Sequence, residues 1–161
     1  MNLIIGSLSQ LVIDLRFWHQ TCLLPGMSIE SEQLKERAML FALGILRLVD
    51  RLPRTPGAQV VARQLAKSAT SVGANYVAGC SARSRAEFIA KLSIVNEEAD
   101  ESVFWLELTT RAEYVPRTEV EPHRREAIEL RAIFGRSVHT ARLNERHQKA
   151  EPRIARRDIG N

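Results

Sequence analysis

The sequence predicts an all-α protein, an antiparallel up-down-up-down four-helix bundle, and three observations support this class. Its 161 residues suffice for one domain with a hydrophobic core and are few for two ordinary domains. Aromatic residues make up only 6%, while Ala, Leu, Glu and Arg are abundant, which is typical of helical proteins with aliphatic cores. Four segments carry apolar residues at steps of three and four, and short connections between such helices favour antiparallel neighbours.

The first two helices are bounded by proline and by a capping residue. The first helix follows Ser31, and Pro53 ends it. Thr55 is the predicted N-cap of the second helix and Pro56 its first residue, because proline lacks the N–H that would be unsatisfied there. The second helix extends to about Ser81. The apolar face of the first helix contains Leu34, Ala38, Phe41, Ile45, Leu48 and Leu52, and that of the second contains Val61, Leu65, Val72 and Tyr76.

The third and fourth helices each begin with a predicted capping box. Ser84 and Glu87 form the first box, and the helical pattern then lasts to about Tyr114, before Pro116. Thr118–Glu121 forms the second box and starts the fourth helix. The core residues of the third helix are Phe88, Leu92, Val95, Ala99, Ser102 and Leu106, and those of the fourth are Ala127, Leu130, Phe134, Val138 and Ala141.

Residues 1–26 differ in composition from the bundle that follows. They are apolar, but Asp14, Arg16 and His19 interrupt them, so no stretch is long enough for a membrane helix. A secretory signal also fits poorly, since no basic stretch precedes the apolar residues. We expect an N-terminal extension upstream of a natural start at Met27. The alternative is an extra helix that covers an apolar patch of the bundle.

The bundle is predicted to span residues 27–143, and residues 144–161 follow it as a polar, basic segment. This segment lacks apolar periodicity, which predicts a disordered tail. The two cysteines, Cys22 and Cys80, are far apart in sequence and have neither disulfide nor metal-site spacing. A reducing cytoplasm is therefore the expected compartment, and no membrane contact is expected.

A specific string of residues covers much of the second and third predicted helices. It comprises Arg63–Tyr76, Ala82–Ile89 and Lys91–Glu101. These segments resemble the bacterial family of 23S rRNA intervening-sequence proteins, and the resemblance covers about residues 27–143. It implies an antiparallel four-helix bundle that assembles into a ring, typically a homopentamer. Related proteins, the accessory variability determinants of diversity-generating retroelements, are similar pentamers that bind a reverse transcriptase and nucleic acid, whereas the intervening-sequence proteins themselves have no established role.

The arrangement of polar residues does not support catalysis or metal binding. A di-iron bundle requires Glu-x-x-His motifs, and none of the four histidines has an acidic residue three positions before it. Cys80 has no identifiable base near it in sequence, and no glycine-rich loop follows a strand. We therefore expect no catalytic residue, no metal and no cofactor.

Charge is segregated between the second and third helices. No acidic residue lies between Asp50 and Glu87, whereas the third helix is mainly acidic. The basic residues of this region are candidate contacts to RNA or DNA, because phosphate backbones bind clustered lysine and arginine. The alternative is that the basic and acidic helices complement each other within or between subunits, which predicts a purely structural oligomer. The six candidates are Arg51, Arg54, Arg63, Lys67, Arg83 and Arg85.

The third helix also carries a second apolar face. Ile94, Trp105 and Leu108 lie about 100–160° from its core stripe, on the same side as Glu101. A monomer would expose this group, and a tryptophan among charged residues is typical of interface anchors. These four residues are the candidate oligomer interface. The sequence thus predicts a homo-oligomeric, non-enzymatic protein that binds nucleic acid or a protein that handles it.

Overall fold

The computed structural model describes residues 29–150, with side chains described for residues 29–147. The predictions for residues 1–26, including the start at Met27, lie outside this part of the chain. The described residues form four α-helices and no strand. The helices are α1 (Ile29–Val49), α2 (Pro56–Cys80), α3 (Arg85–Arg111) and α4 (Arg117–Ala150).

The helices follow one another around the bundle. The contacts between α2 and α3 and between α3 and α4 are extensive, α1 packs mainly on α2, and α4 closes the bundle against α1 more loosely. The predicted all-α four-helix bundle is therefore confirmed.

The core is built from the predicted apolar stripes. Every predicted core residue of the first three helices is buried, and in α4 only the last, Ala141, is half-buried. The rings of Tyr76 and Phe134 meet across the core, with centroids 5.2 Å apart. Apolar residues at helical spacing thus identify the core correctly, because burial of one face is what holds an amphipathic helix in a bundle.

The predicted N-caps of α2 and α3 are both confirmed. Thr55 Oγ1 accepts a hydrogen bond from the N–H of Ala58 at 3.3 Å, and Ser84 Oγ accepts one from the N–H of Glu87 at 3.1 Å. Glu87 Oε2 in turn accepts from the N–H of Arg83 at 2.9 Å. Each cap satisfies a backbone donor that has no partner within the helix.

The predicted start of α4 is wrong by a short distance. The helix begins at Arg117, so Thr118 lies inside it and is not its N-cap. The N–H of Glu119 donates instead to the carbonyl of Pro116 at 2.9 Å, and a backbone acceptor thus takes the role assigned to a side chain. The preceding helix also ends earlier than predicted, at Arg111, and Glu113 then adopts a left-handed conformation with φ of 52°.

The predicted tail requires a second correction. Helix α4 continues to Ala150, so residues 144–150 are helical rather than disordered. These residues include good helix formers such as Glu, Arg, Gln, Lys and Ala, which extend a helix that is already nucleated without any apolar period. Near this end the guanidinium of Arg142 donates to Ser93 Oγ at 3.0 Å and ties α4 to α3. Residues 151–161 lie outside the described part of the chain.

Small residues of α2 bring both neighbouring helices close. Ser102 Oγ of α3 donates to the buried Ser68 Oγ at 2.9 Å. On the other side, Gly73 lies against α1, where an added Cβ would be 3.7 Å from the carbonyl oxygen of Ala38. The run of serine and glycine in α2 is therefore a close-packing surface between helices.

Candidate interaction surfaces

The basic face of α2, which we define as Arg63 and Lys67, points away from the core. The two residues are four positions apart, so they lie on the same side of the helix, and both are exposed. Neither forms an ion pair with another described residue. Their charges are therefore accessible to a second molecule.

The other four basic candidates lie at opposite ends of the bundle. Arg51 and Arg54 are in the connection before α2, whereas Arg83 is in the connection after it and Arg85 is the first residue of α3. Because α2 has 25 residues, the two groups are separated by about 37 Å along the helix axis. Arg51 also forms a salt bridge to Glu119 at 2.7 Å. The six residues thus do not form one continuous patch on a single chain.

The predicted interface of α3 is partly exposed and carries one more aromatic residue. Ile94 and Leu108 are each 36% exposed, while Trp105 is half-buried and its Nε1–H donates to Glu101 at 2.9 Å. Phe104 was not predicted, although it is 58% exposed and its ring meets Trp105 edge-on, with centroids 5.0 Å apart. Phe104 could have been identified from the sequence, because it lies outside the apolar core stripe of α3. We call these five residues the α3 face.

Glu98 lies between the basic face of α2 and the α3 face. Its Oε2 is buried and has no hydrogen-bond partner among the described residues. Desolvation by burial raises the pKa of Glu98, the nearby charge of Glu101 adds to the rise, and Lys67 opposes it. Some of the basic charge of α2 is therefore close to acidic charge of α3 in the same chain.

Helix α1 presents an exposed apolar stripe that the sequence analysis missed. Met39 and Leu40 are 51% and 57% exposed, and Leu43 and Leu46 are 40% and 39% exposed. We call these four residues the α1 stripe. The signal was present in the sequence, because these residues fall between the core positions of the predicted first helix. An apolar group of this size on one helix is typical of a surface that contacts another molecule.

Several ion pairs between described helices join α4 to its neighbours. Arg37 of α1 donates to Glu126 at 2.6 and 2.8 Å and also pairs with Glu129. The pairing with two carboxylates raises the pKa of Arg37, although burial opposes this. On the other side of α4, Arg124 and Arg131 pair with Glu107 and Asp100 of α3 at 3.1 and 2.6 Å. Among the described residues, these ion pairs therefore join α4, and not α2, to its neighbours.

The described residues contain no group of three or more His, Cys, Asp or Glu side chains that could hold a metal ion.

Tyr76 lies beside Cys80, and burial raises the pKa of the tyrosine. No described helix is long and apolar enough to cross a membrane.

Comparisons with known proteins place the chain in a family. The model of the 23S rRNA-intervening sequence protein family matches residues 30–136. A solved structure from Bacteroides thetaiotaomicron, a protein with unknown function from the S23 ribosomal protein family, is similar with a TM-score of 0.63 and 32% identity. That similarity covers 69% of this chain and 99% of the other.

Among curated proteins none matches the chain. Neither the family description nor the description of the solved structure names an enzymatic activity. The family model covers most of the described bundle, and the structural relative has the same fold over nearly its whole length. The chain therefore belongs to the 23S rRNA-intervening sequence protein family.

Proposed function

We propose that the protein is a non-enzymatic, homo-oligomeric four-helix bundle of the cytoplasm that binds a macromolecular partner by shape and charge. The partner is nucleic acid or a protein that handles nucleic acid. The observation that carries this proposal is the exposure of Arg63 and Lys67 on a helix that contains no acidic residue, with no ion pair from either side chain to another described residue. A polyanion would gain favourable contacts there and release counterions on binding.

Self-association would multiply this basic surface. One copy has two exposed basic side chains on α2. When an oligomer repeats these contacts, they bind one long ligand simultaneously, which raises the overall affinity. The resemblance to the 23S rRNA intervening-sequence proteins supports a pentamer, and the accessory variability determinants, given above as relatives of that family, support a partner of this kind.

The α3 face is the proposed surface of self-association. Phe104 is exposed and Trp105 is half-buried in one copy of the chain, and Glu101 accepts a hydrogen bond from Trp105. Changing Trp105→Glu should release soluble helical monomers, because the charge would be buried without a partner in the assembly. Light scattering would measure the mass, and an unmodified protein that is monomeric at micromolar concentration would contradict the proposal.

Binding to single-stranded RNA and to duplex DNA of random sequence tests the partner class. We expect weak, sequence-independent binding that falls steeply as salt rises, since the described residues contain no recognition-helix motif and no stacking platform of aromatic residues around the basic face. The double variant Arg63→Glu/Lys67→Glu should bind more weakly with a shallower salt dependence. The matched control is Arg125→Glu/Arg136→Glu, which changes the net charge equally on the exposed side of α4.

Two results would contradict nucleic-acid binding by charge. Base-specific binding that resists salt would contradict the mechanism, and no binding at low salt would favour a purely structural oligomer. The proximity of Glu98 to Lys67 favours that second candidate, because it shows basic charge of α2 acting on an acid of the same chain.

A further inference from the structure

The two halves of α4 differ in charge. In residues 117–131, four arginines are interspersed with four glutamates, and Arg124 and Arg131 pair with acidic residues of α3. In residues 132–150, Glu145 is the one acidic residue of the sequence. The second half therefore has an excess of positive charge that the helix itself does not balance. Its basic residues are Arg136, His139, Arg142, Arg146, His147 and Lys149.

Three residues of this second half form a ridge on the outside of the bundle. His139, Arg142 and Arg146 lie within about 60° of one another around α4, and all three are exposed. Ile133, which is buried in the core, lies about 120–180° from them. None of the three forms an ion pair with another described residue. We call them the α4 ridge, from which Arg136 is left out because it lies about 60–120° away.

A contact with α3 holds the middle of the α4 ridge in place. The guanidinium of Arg142 donates a hydrogen bond to Ser93 Oγ at 3.0 Å. Serine is neutral, so this bond orients the guanidinium without balancing its charge. A guanidinium has five N–H donors in a fixed geometry, and most of them remain for a second molecule. The ridge thus contains an oriented donor group that can bind an anion.

The connection between α2 and α3 adds positive charge at the same end of the bundle. Because α3 and α4 are antiparallel, the end of α4 lies beside the start of α3. Arg83 precedes α3 by two residues, is exposed, and forms no ion pair with another described residue. The nearby carboxylate of Glu87 accepts the backbone N–H of Arg83 as part of the helix cap.

Helix capping by charge does not explain the α4 ridge. Basic residues near the C-terminus of a helix stabilise the helix dipole, but this effect falls off within the last turn. The described part of α4 extends to Ala150, so Arg142 is two turns and His139 three turns before that residue. Their contribution to the stability of the helix is therefore small, and a role in binding is the better explanation of the ridge.

The α4 ridge is separate from the basic face of α2. Helices α1 and α3 each pack on both α2 and α4, so α2 and α4 lie diagonally across the bundle. The outer sides of two diagonal helices point in opposite directions. A nucleic acid segment bound along the α2 face of one copy therefore does not reach the α4 ridge of that copy.

We propose that the α4 ridge, together with Arg83, is a second surface that binds the phosphate backbone of nucleic acid. This inference rests on the proposed function for its partner class and adds a second surface for that partner. The ridge extends about 10 Å along α4, and one strand of a duplex carries about three phosphates over this length. Three basic side chains thus match three phosphates. Each copy of the chain binds two nucleic acid segments, one on each side of the bundle.

The test measures the binding of fluorescent single-stranded RNA of random sequence by anisotropy over a range of salt concentrations. Arg142→Gln/Arg146→Gln, the ridge variant, should bind more weakly than the unmodified protein. The slope of log affinity against log salt should be shallower by about 1.4, since each phosphate contact to a single strand contributes about 0.7. The matched control is Arg117→Gln/Arg125→Gln, which removes the same charge from exposed positions in the first half of α4 and should leave the slope unchanged. Circular dichroism verifies that both variants are folded.

Combination with Arg63→Glu/Lys67→Glu, the α2 variant, separates this inference from the proposed function. If the α2 variant keeps part of the binding and the added ridge substitutions abolish it, both surfaces bind. If the folded ridge variant binds as the unmodified protein does, the inference is wrong while the α2 face stands. If only the ridge variant loses affinity, the ridge stands and the α2 face is wrong.

Two further outcomes concern the partner itself. If poly-glutamate of equal charge binds the unmodified protein as tightly as RNA does, and the ridge variant weakens both, the surface fits an acidic protein and the assignment to nucleic acid is overturned. An unmodified protein that binds no RNA at low salt overturns both this inference and the proposed nucleic-acid binding.

Discussion

The side of the bundle around α4 and the side around α2 are held together differently. Around α4, arginines and carboxylates of neighbouring helices form ion pairs, as between Arg37 and Glu126 and between Arg131 and Asp100. Around α2, small buried residues such as Ser68 and Gly73 allow close packing, and the basic side chains remain exposed. A helix that packs through small residues leaves its charged side chains accessible to a second molecule. Charged side chains that form ion pairs with a neighbouring helix are less accessible. This difference is why α2 carries the proposed function.

The largest effect should come from the core, on either side of the bundle. Phe134→Ala removes a fully buried ring that contacts Tyr76 and should lower the free energy of unfolding by about 3–5 kcal/mol. Arg37→Ala, which removes an ion pair of the α4 side, should cost about 1 kcal/mol or less, because the pair is partly exposed to solvent. Urea denaturation of both variants measures the comparison. An arginine variant that loses as much stability as the phenylalanine variant would show that ion pairs dominate the α4 side.

Replacing a glycine with alanine should change the stability by an intermediate amount, with opposite signs on the α2 side and the α4 side. Gly73→Ala should raise stability by about 0.5–1 kcal/mol, because the new Cβ meets only ordinary contacts and alanine favours the helix. Gly44→Ala should lower stability by about 1–3 kcal/mol, because its Cβ would be 2.7 Å from Cε1 of His123 and must displace the imidazole ring. Thermal unfolding of the two variants gives the sign of each change. If both variants are more stable than the unmodified protein, the imidazole ring of His123 moves aside at little cost in free energy, and the prediction for Gly44 is wrong.

The smallest effect should be the pH dependence of stability that arises from a histidine on the α4 side. Burial lowers the pKa of His123 below its ordinary value of 6.5, so the folded state resists protonation more than the unfolded state does. Stability from this residue is thus present above about pH 6.5 and declines as the pH falls below it, because the unfolded chain binds the proton first. His123→Gln should flatten this part of the stability profile between pH 7.5 and 5.5. The exposed His139→Gln on the same helix is the control, and an equal change in both variants would contradict the assignment.

Local rules explain why so much of the fold could be predicted. Thr55 and Ser84 cap their helices as predicted, and the core stripes are buried, because both depend on neighbours within a turn or on a periodic face. The rules failed at α4. Its start depends on a backbone acceptor, Pro116, and its end beyond residue 143 has no apolar period to mark it.

The candidate surfaces could be predicted only in part. Trp105 and its neighbours were identified because they lie off the core stripe of α3, and their residue types suit an interface. The same argument would have found Phe104 and the α1 stripe, which the structure shows to be exposed. The spatial grouping of the six basic candidates could not be predicted, because it depends on which helix ends lie close together in the folded chain.

By itself the sequence determined that this chain is a four-helix bundle, where α2 and α3 begin, and which apolar stripes form most of the core. These follow from helix capping, proline chemistry and the 3.6-residue period, which act between residues near in sequence. Only the tertiary structure decided that α4 forms ion pairs with neighbouring helices, that Arg63 and Lys67 form none with another described residue, and that the α1 stripe is exposed. Those properties depend on the order of the helices around the bundle and on their rotation, and both result from packing between residues far apart in the chain.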